Sequence, residues 1–148
     1  MSLLTLTTDK VSRRLRWLMV CVVTFDNLNT LFGQSSNYWQ HPETVQEGNQ
    51  LTHFFIKQGW LVFCLYELVY TAVAFLLASL SPRQLALTIS FAFIFGHYYG
   101  ASTWLAHRWH FGTAGTVVYG IVLSATIVLL IFRPVGSPPT VEASPKKN

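Results

Sequence analysis

The segment LRWLMVCVVTFDNLNTLFG, residues 15–33, decides the fold of this chain. It is apolar and long enough to cross a bilayer as a helix, since about 20 residues span about 30 Å. Its centre nevertheless contains Asp26, and Asn29 and Thr30 follow on the same helical face. A carboxylate at that depth costs roughly 2.5–3.5 kcal/mol even on lenient insertion scales. The segment therefore predicts a membrane helix whose acid needs polar partners elsewhere in the chain.

Three more apolar runs of similar length follow the first, at residues 59–80, 85–105 and 113–132. The composition agrees, because 51% of the residues are hydrophobic and only 11% are charged, against about 25% charged in soluble domains. We therefore predict an all-α, integral membrane four-helix bundle over residues 1–132, with an external loop over 34–58. The Pro- and Ser-rich residues 133–148 predict a disordered cytoplasmic tail.

The basic residues orient this bundle. Eight of the ten lysines and arginines flank the first span, the turn between spans two and three, or the tail, and only Lys57 and Arg108 lie on the opposite side. Cytoplasmic flanks carry the excess of basic residues, so both termini are predicted to be cytoplasmic. The chain has no basic face on a soluble module, and this excludes nucleic acid as a predicted partner. The lipid bilayer is the expected surroundings.

The connections also carry local signals. The turn Ser81–Gln84 contains a proline and predicts Ser81 as the N-cap of the third span. The external loop predicts a short interfacial helix, because its apolar residues have helical spacing. These residues are Leu51, Phe54, Phe55 and Ile56.

Three ionisable side chains on three different spans fall at similar depth. By helix rise, Asp26, His97 and Glu67 lie about 14, 18 and 20 Å from the inner boundary. Each begins a polar stripe, and acidic and amide residues of the external loop lie above them. The predicted ligand-binding residues are Asp26, Asn29, Thr30, Glu47, Asn49, Glu67, Tyr70 and His97.

Two interpretations of this polar layer are open. In the first it is a structural lock, with Asp26 paired to His97 and Glu67 bonded to a tyrosine hydroxyl, at about 0.6 kcal/mol per hydrogen bond. In the second the layer lines an outward-opening cavity, because two acids exceed what one imidazole can pair. A cavity of this kind fits a small amphiphilic, cationic or lipid ligand. It also fits a lipid isomerase that uses carboxylate and imidazole as acid and base, so catalysis is left open.

No metal or cofactor is predicted. Histidine with carboxylates can bind zinc or iron, but the spans contain neither an HExxH motif nor paired histidines at helical spacing. The fourth span instead carries a small residue at every fourth position: Gly112, Thr116, Gly120 and Ser124. Such a face favours close helix contact within the bundle, in a homo-oligomer or with a membrane partner. A structural or accessory subunit of a membrane complex is therefore a further alternative.

Part of the chain resembles a pattern of uncharacterised small bacterial four-helix membrane proteins. The matching residues are Asp26-x-x-x-Thr30, Gly33-Gln34, Tyr38-Trp39 and Glu47-x-Asn49. Gln50 stands where that pattern has a proline. The resemblance implies the bacterial inner membrane as the location and implies no function.

The layout of the first three spans also resembles the EXPERA family, the sterol-isomerase and sigma-2-receptor type. The resemblance is carried by Asp26 in span one, by Glu67 within Tyr-Glu-Leu-Val-Tyr in span two, and by His97 in span three. It implies that the two acids line a cavity for sterols or cationic amphiphiles. The segment Gly96–Leu105 has no counterpart in that family.

Overall fold

The computed structural model describes residues 10–132, and within this range the chain is helical without any strand. The helices are α1 (Lys10–Phe32), α2 (Gln50–Lys57), α3 (Trp60–Leu80), α4 (Arg83–His107) and α5 (Gly112–Phe132). Two 3-10 turns, Ser36–Trp39 and Pro42–Thr44, lie between α1 and α2. The all-α prediction is confirmed. The tail predicted over 133–148 lies outside the described residues.

Helices α1 and α4 form a parallel central pair. Gly100 of α4 faces Asp26 of α1, and further along both helices Trp104 packs on Gly33. Helix α3 runs antiparallel to this pair, because the side chains of Arg16 and Asn27 reach successively earlier positions of α3. Helix α5 is antiparallel on the other side, where Phe25 contacts Tyr119 at a ring-centroid distance of 5.0 Å. The polar face of α1 therefore lies in the interior of the bundle.

Arginines at the start of α1 contact the carboxyl ends of the two antiparallel helices. Arg14 donates to the Leu130 carbonyl of α5 at 3.3 Å, and Arg16 donates to the Ala78 carbonyl of α3 at 3.5 Å. The last carbonyls of a helix lack intrahelical partners and form the negative end of its dipole. Part of the basic cluster thus stabilises the end of the bundle where α1 begins.

Two apolar clusters bracket the polar part of α1. The larger cluster packs the first half of α1, including Leu15 and Met19, against α3, α4 and α5. The smaller one joins Leu31 to Tyr38, Ile56 and Phe63 near the other end. Asp26 lies between them, so its carboxylate has to find partners within a thin polar layer.

Two helices within residues 10–132 are long and apolar enough to cross a membrane, α3 and α5. In the most apolar 18-residue segment of each helix, only 22% of α3 and 6% of α5 is buried inside the protein. These helices therefore present large apolar surfaces to their surroundings, as membrane helices do. Helices α1 and α4 are long enough but contain more polar residues, so their crossing stays a prediction.

The turn between α3 and α4 differs from the prediction. Ser81 does not cap α4; it closes α3, and its hydroxyl donates to the Leu77 carbonyl at 2.7 Å. Pro82 occupies the position before Arg83 instead, with an extended backbone that suits a proline. A serine hydroxyl can bond the preceding turn as readily as the following one, and here it bonds a carbonyl of the preceding helix.

The short helix predicted between the first two long helices is present as α2. The Asn49 side chain accepts the N–H groups of Leu51 and Thr52 and so caps it. Ile56 is buried, whereas Leu51 and Phe54 are exposed. Tyr38 donates to the Ile56 carbonyl at 3.0 Å, and this bond attaches the end of α2 to the preceding turn.

The small-residue face of α5 is used only in part. Thr116 donates to the Ser102 carbonyl of α4, and Gly120 lies against the hydroxyl of Tyr98. Gly112 has open space around it and Ser124 is exposed. The two middle positions therefore make close contacts within the chain, whereas Gly112 and Ser124 do not. Association with a second copy or another membrane protein through this face stays a prediction.

Candidate functional site

The centre of the site is a hydrogen bond between α1 and α4. Nδ1 of His97 lies 2.8 Å from Oδ2 of Asp26, and the imidazole donates to the carboxylate when Asp26 is ionised. Asp26 is only 9% exposed. The bond fixes the ring of His97 and leaves Nε2 as the nitrogen available for other partners. The pairing of Asp26 with His97 is the one named in the structural-lock interpretation of the sequence.

A glycine makes this approach of the two helices feasible. A Cβ atom at Gly100 would lie 2.6 Å from Oδ2 and 2.8 Å from Oδ1 of Asp26. Such separations are shorter than real Cβ contacts. The absence of a side chain at position 100 thus gives the Asp26 carboxylate its room beside α4.

The second acid has a different partner from the one predicted. Asn27 donates from Nδ2 to Oε2 of Glu67 at 2.9 Å, so an amide and not a tyrosine hydroxyl bonds this carboxylate. Glu67 is 7% exposed. Because Asn27 follows Asp26 directly, the same turn of α1 carries Asp26 itself and the amide that bonds Glu67.

These groups line a cavity of about 820 Å³. Its walls come from α1, α3 and α4, and the loop before α2 together with the start of α2 covers it. The lining contains three acids, Asp26, Glu47 and Glu67, with one imidazole, and no lysine or arginine among residues 10–132 lines it. Its apolar and aromatic walls include Tyr66, Tyr70, Phe93, Tyr99 and Trp104.

Gln34 attaches the loop to the end of α1. Its Oε1 accepts the backbone N–H of Gln46 at 2.8 Å, and its Nε2 donates to the carbonyl of the same residue at 3.0 Å. Nε2 also donates to the Thr30 carbonyl. Gln34 is buried and Gln46 is exposed, so this reciprocal amide bridge is partly shielded from solvent and holds the backbone directly before Glu47.

Glu47 lies outside the long helices, on the loop side of the cavity. Its Oε1 accepts the N–H of Asn49 at 2.7 Å. Burial raises the pKa of the Glu47 carboxyl above its ordinary value, the Asn49 hydrogen bond opposes the increase, and the charge of Asp26 adds to it. The loop acid is therefore close enough to Asp26 for their charges to interact.

A series of stacked rings connects α2 with the Asp26–His97 pair. Phe55 stacks on Tyr66 at a centroid distance of 4.1 Å, and Tyr66 stacks on Tyr70 at 5.8 Å. Tyr70 in turn lies 6.0 Å from the ring of His97. These contacts form a rigid wall along one side of the cavity and orient the imidazole from the α3 side.

Most of the predicted site residues line this one cavity: Asp26, Thr30, Glu47, Asn49, Glu67, Tyr70 and His97. Asn29 does not, because its amide donates to the Phe25 carbonyl within α1. Its place is taken by Asn27, one residue after Asp26. The sequence reasoning also missed Gln34 and Gly100, although an amide just after an apolar span was a usable signal for Gln34.

One oxygen of the central carboxylate has no partner in the described part of the chain. Oδ1 of Asp26 is buried and makes no hydrogen bond there. Buried polar atoms are normally satisfied by protein, water or a ligand. Residues 10–132 contain no group of three histidine, cysteine or acidic residues arranged to hold a metal ion. Comparisons with protein-family models, curated proteins and solved structures found no significant match.

Proposed function

We propose that this chain is a small multi-pass membrane protein that binds a small amphiphilic, cationic or lipid ligand in the cavity between α1, α3 and α4. One observation carries the proposal: a cavity of about 820 Å³ is lined by three acids and one histidine without lysine or arginine among residues 10–132. Acids held away from water need counter-charge, and a bound cation would supply it.

The proposed membrane arrangement has four spans, α1, α3, α4 and α5, with both termini cytoplasmic. The uncovered apolar surfaces of α3 and α5 support a lipid environment, and the distribution of basic residues supports this orientation. In this arrangement α2 and its loop lie outside, and the cavity opens toward that side. The bacterial inner membrane is the proposed location, on the resemblance to small bacterial membrane proteins.

The lining also supports an amphiphilic ligand. Aromatic rings bind the apolar parts of a ligand and attract a cation to their faces. Tyr99 lines the cavity and is 73% exposed on the outer surface of α4. The cavity therefore extends to a surface that would face lipid, where the tail of an amphiphile finds an apolar medium.

The test is binding of octylamine to the protein in lipid nanodiscs. A variant that keeps Trp104 and has phenylalanine at the other four tryptophans reports on the cavity by fluorescence, since Trp104 lines it. Asp26→Asn and Glu67→Gln retain side-chain size and hydrogen bonding but remove charge. We expect each to weaken binding at least tenfold with little loss of thermal stability.

Glu43→Gln is the matched control, because Glu43 is an exposed acid that pairs with His41 and does not line the cavity. Its affinity for octylamine should equal that of the unchanged protein. The proposal is wrong if octylamine gives no saturable signal above that of empty nanodiscs. Strong destabilisation by Asp26→Asn without any amine binding would instead support the structural lock and a role as an accessory subunit.

A second candidate function, a lipid isomerase, is favoured by the Asp26–His97 hydrogen bond. A carboxylate that accepts from Nδ1 orients an imidazole so that Nε2 can take up or release a proton. Glu67 lines the same cavity as the second acid–base group. The test is incubation of the protein with membrane lipid in heavy water: isomerisation would introduce deuterium at carbon, and His97→Gln would abolish the exchange.

A further inference from the structure

The acids of the cavity come from three separate elements and lie at two levels. Asp26 and Glu67 belong to the helical walls, whereas Glu47 belongs to the covering loop. Helix α1 ends at Phe32, six residues after Asp26 and a rise of about 9 Å, and Gln34, which holds the loop, follows this end. Glu47 therefore enters the cavity from its outer end, and the other two acids lie deeper.

The position of Glu47 is built into the fold. The reciprocal bonds between Gln34 and the backbone of Gln46 resemble one rung of a sheet ladder, and the Gln34 end of this bridge is buried. The Asn49 side chain caps α2 directly after the acid. An acid that only kept the loop soluble would not need hydrogen bonds before and after it to fix its position. These contacts therefore position Glu47 over the cavity.

The charge of the lining exceeds that of a single cation. If His97 carries a charge and neutralises Asp26, the carboxylates of Glu67 and Glu47 remain without a lysine or arginine among the described lining residues, and the base nearest to Glu47 is His53, which does not line the cavity. Glu67 is more than nine-tenths buried, and Oδ1 of Asp26 is buried without a hydrogen bond. A ligand with one positive charge would leave at least one of these acids uncompensated.

We propose that the ligand is a linear dication, a diamine or longer polyamine, with one ammonium group at Asp26 and Glu67 and the other at Glu47. This inference rests on the proposed binding function and specifies its ligand class. The methylene chain between the two ammonium groups would lie against the wall formed by Tyr66 and Tyr70. Tyrosine rings offer apolar surface to methylenes and their hydroxyl oxygens accept hydrogen bonds from ammonium groups, so this wall suits both parts of a polyamine.

The test compares diamines with a matched monoamine by calorimetry of the protein in nanodiscs. The probes are diaminobutane, diaminohexane, spermidine and butylamine. We expect at least one diamine or spermidine to bind about tenfold more tightly than butylamine, which corresponds to about 1.4 kcal/mol. Glu47→Gln should remove this advantage and weaken butylamine binding much less than diamine binding, whereas Glu67→Gln should weaken binding of both classes.

Gln34→Ala provides an independent check, since Gln34 makes contact with the loop backbone and does not line the cavity. It should reduce the preference for diamines in the same way as Glu47→Gln, and Glu43→Gln should leave the preference unchanged. Equal affinity for butylamine and every diamine would overturn the inference and leave the proposed amine binding intact. Binding of octylamine without any binding of a diamine would overturn it as well. If no amine binds, the proposed function fails together with this inference.

Discussion

Replacing Gly100 by alanine tests the close approach of α4 to the Asp26 carboxylate. The added methyl group would lie 2.6 Å from Oδ2 and 2.8 Å from Oδ1 of Asp26, whereas real Cβ contacts are essentially never below 3.0 Å. Relief requires that the carboxylate turn away from His97 or that the helices separate. Because the Asp26 side chain is short and its Oδ2 bonds His97, we expect the hydrogen bond to be lost.

The cost can be estimated from that bond. A hydrogen bond to a charged group contributes about 1.5–3 kcal/mol to stability, and alanine gains up to about 1 kcal/mol over glycine in a helix. Gly96→Ala is the matched control, because it lies one turn earlier on α4 and a Cβ there meets nothing within 4 Å. The helix-propensity gain cancels between the two variants, so Gly100→Ala should be about 1.5–3 kcal/mol less stable than Gly96→Ala.

The assay is unfolding of both variants in detergent micelles by titration with a denaturing surfactant, followed by circular dichroism. Octylamine affinity is measured on the same samples and should fall more for Gly100→Ala than for Gly96→Ala, since both glycines line the cavity but only Gly100 lies against Asp26. Equal stability and equal affinity of the two variants would show that the methyl group is accommodated without disturbing Asp26. The argument that a glycine provides the room for the central hydrogen bond would then be wrong.

Two further predictions concern α5 and the membrane topology. Gly120→Leu should destabilise the bundle by about 1–3 kcal/mol through overpacking, because a Cβ there would lie 2.7 Å from the hydroxyl of Tyr98. Ser124 is exposed, so Ser124→Leu should be neutral in the same unfolding assay. A neutral Gly120→Leu would contradict the proposed packing of α5 on α4. Reporter fusions after Arg133 should be cytoplasmic and fusions after Glu43 external; the opposite result at either position would refute the four-span topology.

The positions of the helices follow from the sequence. Each apolar run of about 20 residues became one long helix, and the ends differ from the predicted runs by only a few residues in α3, α4 and α5. The common depth of Asp26, Glu67 and His97 was also predictable, because helix rise converts residue number into height. Similar height along the helices places these three side chains in one layer, and all three line the same cavity.

The choice of partners inside that layer depended on the tertiary structure. Asn27 and not Asn29 lies beside Glu67, since the rotation of α1 about its axis is set by its contacts with α3 and α4. Helical spacing identifies which residues share a face but not which neighbour that face meets. Gln34 shows the same limit, because its bridge to Gln46 joins residues separated by an irregular loop whose path no periodicity describes.

The sequence by itself therefore determined the helical class, the helix positions and the common level of the polar residues along the helices, because these depend on hydrophobicity and on the fixed rise of a helix. Only the tertiary structure decided that α4 approaches α1 closely at Gly100, that Asp26 bonds His97 while Glu67 bonds Asn27, and that the loop acid reaches the same cavity. These features depend on helix rotation, helix pairing and loop path, which follow from contacts between residues distant in the chain.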